Sequence, residues 1–246
     1  MRGSRGVGFA GAILGVMLVL SGCSGGDNGV ARPISATLRA IQVGDYYEYT
    51  IRGVASKPGL DPEDAPPVSG SVRVSVSDGG FTPNNDPILR FEYLTILRLG
   101  DEVRESRFAL HYIQGRNPRD LFMIAYEDEN GTITPFTPFI AVPGQWSVGY
   151  SRSNSDPFVY SFSVIGQDVV QTPRGKFTAW RCAVRSQVRP DDPIENAIRT
   201  VWYAPDVGMP VQIQLTTTLP SEEGNWTVSL TQQLSFTTVP IPETNL

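Results

Sequence analysis

The chain has 246 residues, 40% of them hydrophobic and 10% aromatic, with 20 lysines and arginines against 25 aspartates and glutamates. A formal charge of −5 without a basic cluster excludes a nucleic-acid partner, which needs cations lined up against phosphates. Two cysteines and one histidine leave too few ligands for thiolate or histidine-rich metal sites, and neither metal nor cofactor is expected.

Taken in chain order, Arg2 and Arg5 come first, followed by an uncharged apolar and glycine-rich run from Val7 to Leu20. The run is shorter than the about 20 apolar residues of a spanning helix and has the form of a secretory signal. It ends in Leu20-Ser21-Gly22-Cys23, which resembles the lipobox of bacterial lipoproteins. The resemblance implies that residues 1–22 are a signal peptide cut by signal peptidase II. It implies equally that Cys23 is the lipidation site, with diacylglycerol on its sulfur and an acyl group on the new amino terminus. At about 0.8 kcal/mol per buried methylene, two or three acyl chains hold a protein firmly on a bilayer. The expected first partner is therefore a membrane, reached through the lipid on Cys23. Ser24, where an Asp would retain the protein, implies the periplasmic side of the outer membrane in a Gram-negative cell. Residues 23–36, rich in Gly, Ser and Asn, read as a flexible tether. Loss of residues 1–22 removes two arginines and takes the formal charge to −7. With Cys23 lipidated, Cys182 is the remaining thiol, and no intramolecular disulfide can form.

Residues 37–246 read as one β domain, because apolar and polar residues alternate with period two. Tyr47, Tyr49 and Ile51 share a face, and a proline-rich loop from Ala55 to Ser69 follows. Val72, Val74 and Val76 come next, with turns expected at Asp78-Gly79-Gly80 and at Asn84-Asn85-Asp86-Pro87. Ile88–Leu99 and Leu121–Tyr126 are apolar on both faces, which predicts central or doubly covered strands. After a turn at Glu129-Asn130-Gly131 come the rows Phe158, Tyr160, Phe162, Val164 and Trp180, Cys182, Val184. Val211, Ile213 and Leu215 follow, then a turn at Glu222-Glu223-Gly224-Asn225. The last row is Trp226, Val228, Leu230, Leu234 and Phe236. The fold class is all-β: a single antiparallel sheet system of about ten or eleven strands, forming a barrel, a curved half-barrel or a sandwich.

Gly175-Lys176-Phe177-Thr178-Ala179-Trp180 and Trp202-Tyr203-Ala204-Pro205-Asp206-Val207-Gly208 resemble a paired signature, G-x-F-x-A and W-Y-A-P-x-V-G. It belongs to a group of bacterial envelope proteins built on a domain of unknown function. Val43-Gly44-Asp45-Tyr46 and Pro143-Gly144-Gln145-Trp146 are similar to its early strands. The resemblance implies a mostly-β periplasmic or lipidated protein, related in shape to the half-barrels of lipoprotein carriers, and it brings no catalytic residues. The signature itself reads as architecture, with Pro205 and Gly208 shaping a turn. Pro210 departs from the group's pattern and predicts an edge position.

Candidates for chemistry are sparse. His111, on a face shared with Arg107 and Glu105, is expected to be solvent-facing. Cys182 is expected to be a buried, inert thiol. Three acid clusters, at Asp61, Glu63 and Asp64, at Glu127 to Glu129, and at Asp191 and Asp192, read as solvated loop tips. No G-x-S-x-G elbow occurs. No catalytic residue is therefore assigned, and the chain reads as a non-enzymatic, membrane-anchored envelope protein. Three functions stay open. A curved sheet can hold a lipid or other apolar ligand against Tyr47, Tyr49, Tyr93, Tyr112, Phe158, Phe162 and Trp202. A polar sheet face can instead dock another envelope protein as an interaction or scaffold module. A carboxylate-based hydrolase ranks last.

Overall fold

The computed structural model describes residues 36–116, 119–155, 159–187, 197–220 and 224–241. The expected signal peptide, Cys23 and all of the expected tether but Ala36 lie outside them. The described residues form fourteen strands, one 3-10 turn at Pro62–Asp64 and no α-helix. The strands are β1 (Ala36–Thr37), β2 (Tyr46–Ser56), β3 (Pro67–Phe81), β4 (Pro87–Leu99), β5 (Glu102–Gln114), β6 (Leu121–Glu127) and β7 (Ile133–Val142). They continue with β8 (Gln145–Trp146), β9 (Ser151–Asn154), β10 (Tyr160–Thr172), β11 (Gly175–Ser186), β12 (Arg199–Ala204), β13 (Met209–Leu219) and β14 (Trp226–Thr237). The count exceeds the ten or eleven read from the sequence, because β1, β8 and β9 are too short to show a period. Among the described residues no helix is long and apolar enough to cross a membrane.

Twelve strands make one antiparallel sheet in the order β7-β6-β5-β4-β3-β2-β14-β13-β12-β11-β10-β9. Neighbours are consecutive in the chain except at β2–β14, where the two ends of the domain pair over ten register positions, from Thr227↔Ser56 to Thr237↔Tyr47. The sheet curls until it nearly closes. Its outer strands meet at a seam without ladder bonds, where the Tyr160 hydroxyl on β10 donates to the Ala141 carbonyl on β7. The Phe139 and Tyr160 rings lie 5.2 Å apart across the same seam. Inward-pointing rows run around this barrel, for example Val201, Ile213, Gln232 and Ile51 on β12, β13, β14 and β2. The alternation that half-exposed strands require thus puts the aromatic residues inside.

One end of the barrel is closed by the chain's own N-terminal segment. β1 pairs with β8, Arg39 N donates to Pro205 O in the β12–β13 turn, and Val76 N donates to Asp45 O. Residues 36–45 therefore run across that end from β8, past the turn, to β3. Arg39 holds Asp45 bidentately at 2.8–2.9 Å, and Leu38, Ile41, Trp146 and Val207 fill the space beneath. Gly208 sits at φ +81°, and a Cβ there would come within 2.5 Å of Ile41. The W-Y-A-P-x-V-G stretch is thus the socket for this strap, as the architectural reading expects. Ala36, the last residue of the expected tether, belongs to β1.

Several details differ from the sequence reading. Asp78-Gly79-Gly80 is an irregularity inside β3, and the turn lies beyond it at Thr82–Asp86, where Asn85 takes φ +64°. A register shift between Leu234 and Phe236 sends Phe236 to the outer face, 48% exposed, so it does not share the inner row. Pro210 lies in β13, inside the sheet rather than at its edge. Its missing N–H is tolerated because pairing with β14 starts only at Gln212. β4 is central, but β6 is one strand from the edge of the sheet order, and the outer residues of both are half-buried rather than covered.

Candidate functional site

Two adjoining cavities occupy the middle of the barrel. The larger, about 130 Å³, is lined by aromatic rings from opposite walls, including Tyr49, Phe91, Tyr112, Tyr160 and Tyr203. The smaller, about 100 Å³, lies toward the end away from the strap, against Ile51, Val72, Thr95, Leu215 and Leu230. Tyr93, Phe108, Arg199, Ile213 and Gln232 line both and form the joint between them. Tyr93 and Phe108 stack there across the β4–β5 pair, centroids 4.8 Å apart and planes 4° from parallel. A designed void of about 150 Å³ admits benzene, and drug-sized ligands need about 300 Å³ or more. The space fits a slender molecule.

The lining is nearly neutral. Tyr49 donates to Pro210 O at 3.0 Å, and burial pushes the Tyr49, Tyr160 and Tyr203 hydroxyls well above the ordinary tyrosine range. Among the described residues no Asp or Glu lines either cavity, and Arg199 is the one charged residue that does. It enters because β12 alternates Arg199, Val201, Tyr203 inward. That alternation was visible in the sequence, yet Arg199, Gln232, Phe91 and Phe108 were not singled out. Polar or scattered residues mark a lining only once opposite walls are known to face each other.

Of the aromatics named from the sequence, Tyr49, Tyr93 and Tyr112 line the space. Tyr47 belongs to the packed end, its hydroxyl donating to Val207 O at 3.1 Å. Phe162 packs on Trp146 at 5.4 Å, and Phe158 lies outside the described residues. Trp202 points the other way. It sits in the outer row Arg181, Trp202, Gln212, Gln233, under the β10–β11 hairpin, and its Nε1 donates to Asp168 at 2.9 Å. The hairpin tip lies over this face and is tied to β14 by Arg174 N to Leu234 O.

His111 is on the outer face as expected, but it is buried rather than solvent-facing, at 6% exposure. Its Nε2 is 2.9 Å from Glu127 Oε2, and Arg90 binds Glu127 through two 2.7 Å hydrogen bonds across β5. Glu92 joins from β4, at 2.7 Å from both Arg90 and Arg107. Glu127 is therefore part of an ion network, not a solvated tip. Arg90 foremost, with His111 beside it, holds its carboxyl at about 2, well below the usual range. Asp128 caps the following turn through the Asn130 and Thr132 amides. Asp61, Glu63 and Asp64 are exposed, and Asp191 and Asp192 lie outside the described residues. Cys182 is fully buried beside Trp180, and burial pushes its thiol far up. Cys23, the expected lipidation site, also lies outside the described residues.

No family model matches the chain, and no curated protein is similar to it. Among solved structures, a Bacteroides fragilis protein assigned as exported, with a YmcC-like fold, is 12% identical. That match covers 82% of this chain and 99% of the other, with a TM-score of 0.38. The Pseudomonas aeruginosa MucA/MucB complex is 8% identical over 78% of this chain and 89% of its own, with a TM-score of 0.13. Both likenesses are too distant to argue from, and the all-β barrel rests on the chain's own ladders.

Proposed function

We propose that this protein is a non-enzymatic lipoprotein of the bacterial envelope, anchored through Cys23, whose barrel receives a slender apolar ligand. The observation that carries the reading is the pair of cavities joined at Tyr93, Phe108 and Ile213, an under-filled interior in a barrel whose strap end is closely packed. Apolar surface left without contacts forfeits dispersion energy, which a matching ligand restores. The lipobox Leu20-Ser21-Gly22-Cys23 supports the anchor, and the resemblance of Gly175–Gly208 to envelope proteins agrees with the location.

Two measurements test this reading. Native mass spectrometry of the chain from Ser24 onward, which contains every described ladder, should reveal a co-purifying apolar molecule. Ligand-free protein that also takes up no added aliphatic probe sinks the ligand. Cys23→Ala should release the protein from membranes, and mass spectrometry of the wild-type mature chain should find acylated Cys23. An unmodified Cys23 with cleavage elsewhere sinks the anchor.

A second reading, as a docking module, has one observation in its favour. An open groove on the outer face of β2, β12, β13 and β14 presents the exposed Val54 and Ile198 beside Thr200, Gln214 and Thr231.

A further inference from the structure

The two ends of the barrel differ in charge and in what they expose. Away from the strap, the turns joining β2 to β3, β4 to β5 and β6 to β7 carry Asp61, Glu63, Asp64, Asp101, Asp128 and Glu129. Lys57 is the one base among the described residues of these turns. At the strap end the charges balance. Among the described residues there, Arg39, Arg116, Arg119 and Arg174, in the strap and its neighbouring turns, are matched by as many aspartates. The strap end also holds both exposed aromatic side chains of the described residues. β3 runs on from Val76, where it bonds the strap, to Phe81, which is 65% exposed next to the Thr82–Asp86 turn. Phe236, at the same end of β14, lies with its ring 6.1 Å from that of Tyr46. Val43, in the strap itself, is exposed as well.

We infer that the strap end docks on the bilayer, with Val43, Phe81 and Phe236 among the lipid headgroups and the acidic turns turned away. The inference rests on the anchored reading and adds the orientation of the barrel. Cys23 precedes Ala36 by 13 positions, and a coil of that length spans about 20 Å r.m.s.. β2, which runs from the strap to the far turns, has 11 residues and is about 35 Å long. A lipid on Cys23 therefore brings the strap end to the membrane first. Exposed phenylalanine rings gain by entering the boundary between headgroups and acyl chains. The field of an anionic leaflet, which attracts bases, repels the acidic turns and favours the same pose.

The test uses the full mature chain in vesicles of phosphatidylethanolamine and phosphatidylglycerol, some of whose lipids carry a nitroxide quencher near the headgroup. Cys182 is buried, so an added surface cysteine takes a fluorescent label selectively. One variant, Val43→Cys, reports on the strap end. A second, Val103→Cys, reports on the far end beside Asp101, where Val103 is exposed. The label at 43 should lose most of its fluorescence to the quencher and the label at 103 little. Adding Phe81→Asp and Phe236→Asp to the first variant should restore its fluorescence while the protein still floats with the vesicles. Both side chains are exposed, so the pair should unfold at the parent's denaturant concentration. Should the pair fail to fold, Phe81→Ser takes its place. Equal quenching at 43 and 103, or more at 103, overturns the orientation. Quenching at 43 that survives the aspartate pair means that the tether alone keeps the strap near, and overturns the docking. Floating protein with neither label quenched leaves the anchor standing and overturns the docking. A chain that does not float overturns both.

Discussion

The strap end and the middle of the barrel are made from the same strands, yet they are packed differently. At the strap end Leu38, Tyr47, Trp146, Val207, Val211 and Leu234 have no exposed surface, and the Tyr47 hydroxyl is tied to a turn carbonyl. Two residues beyond Val211 on β13, Ile213 borders empty space, as do Tyr93 on β4 and Phe108 on β5. Alternation alone puts apolar groups on the inner face in both places. What differs is that the strap brings a third layer, β1 and β8, into one end, whereas the middle has only its own two walls to fill it. A filled end secures the fold, and an unfilled middle leaves room for something else.

The largest effect should come from the filled end. Trp146→Ala removes a side chain with 0% exposure and should cost about 3–5 kcal/mol in denaturant unfolding. A cost below about 1 kcal/mol would mean the strap layer is not part of the folded core. Next in size is a matched pair of enlargements. Leu234→Phe, in the packed region, should lose about 1–3 kcal/mol, while Ile213→Phe, beside both cavities, should lose less than about 1 kcal/mol. Equal penalties would erase the distinction between the two regions.

A smaller effect tests the outer face. Glu127 is held at about 2 in the folded protein against an ordinary value of 4.5, so folding favours its charged form. Its contribution is fully present above about pH 4.5 and is lost as the pH falls toward about 2. Wild type should therefore lose stability across that window more steeply than Glu127→Gln, as measured by chemical unfolding at each pH. Parallel curves would show that the network around Arg90 and His111 does not hold the carboxylate. The smallest effect is expected at Cys182. The native thiol should resist a maleimide until the protein is unfolded. Rapid native labelling would contradict its burial.

Strand identity was legible wherever one face is wet. Val72, Val74 and Val76 on β3, and Trp226 to Leu234 on β14, follow period two because only one side meets the core. Bulges were not legible, since one inserted residue reverses every later side chain without changing composition. Phe236 shows this, and so does the shift between Val164 and Gly166 in β10. Trp202 misled for another reason: its strand was recognised, but the hairpin lying over its outer face buries it from that side. Glu127 misled because a residue next to a turn looks solvated until Arg90 arrives from two strands away.

By itself the sequence determined the all-β class, most of the strands, the turn at Ala204–Gly208 and the burial of Cys182. These are local consequences of period, turn chemistry and side-chain polarity, and they need no knowledge of distant partners. Only the tertiary structure decided that β2 pairs with β14, that the sheet nearly closes at Tyr160, and that the N-terminal strap lies on the Ala204–Gly208 turn. The β2–β14 pairing joins residues up to 190 positions apart, where cross-strand fit and the curvature of the whole sheet choose among partners with equivalent patterns.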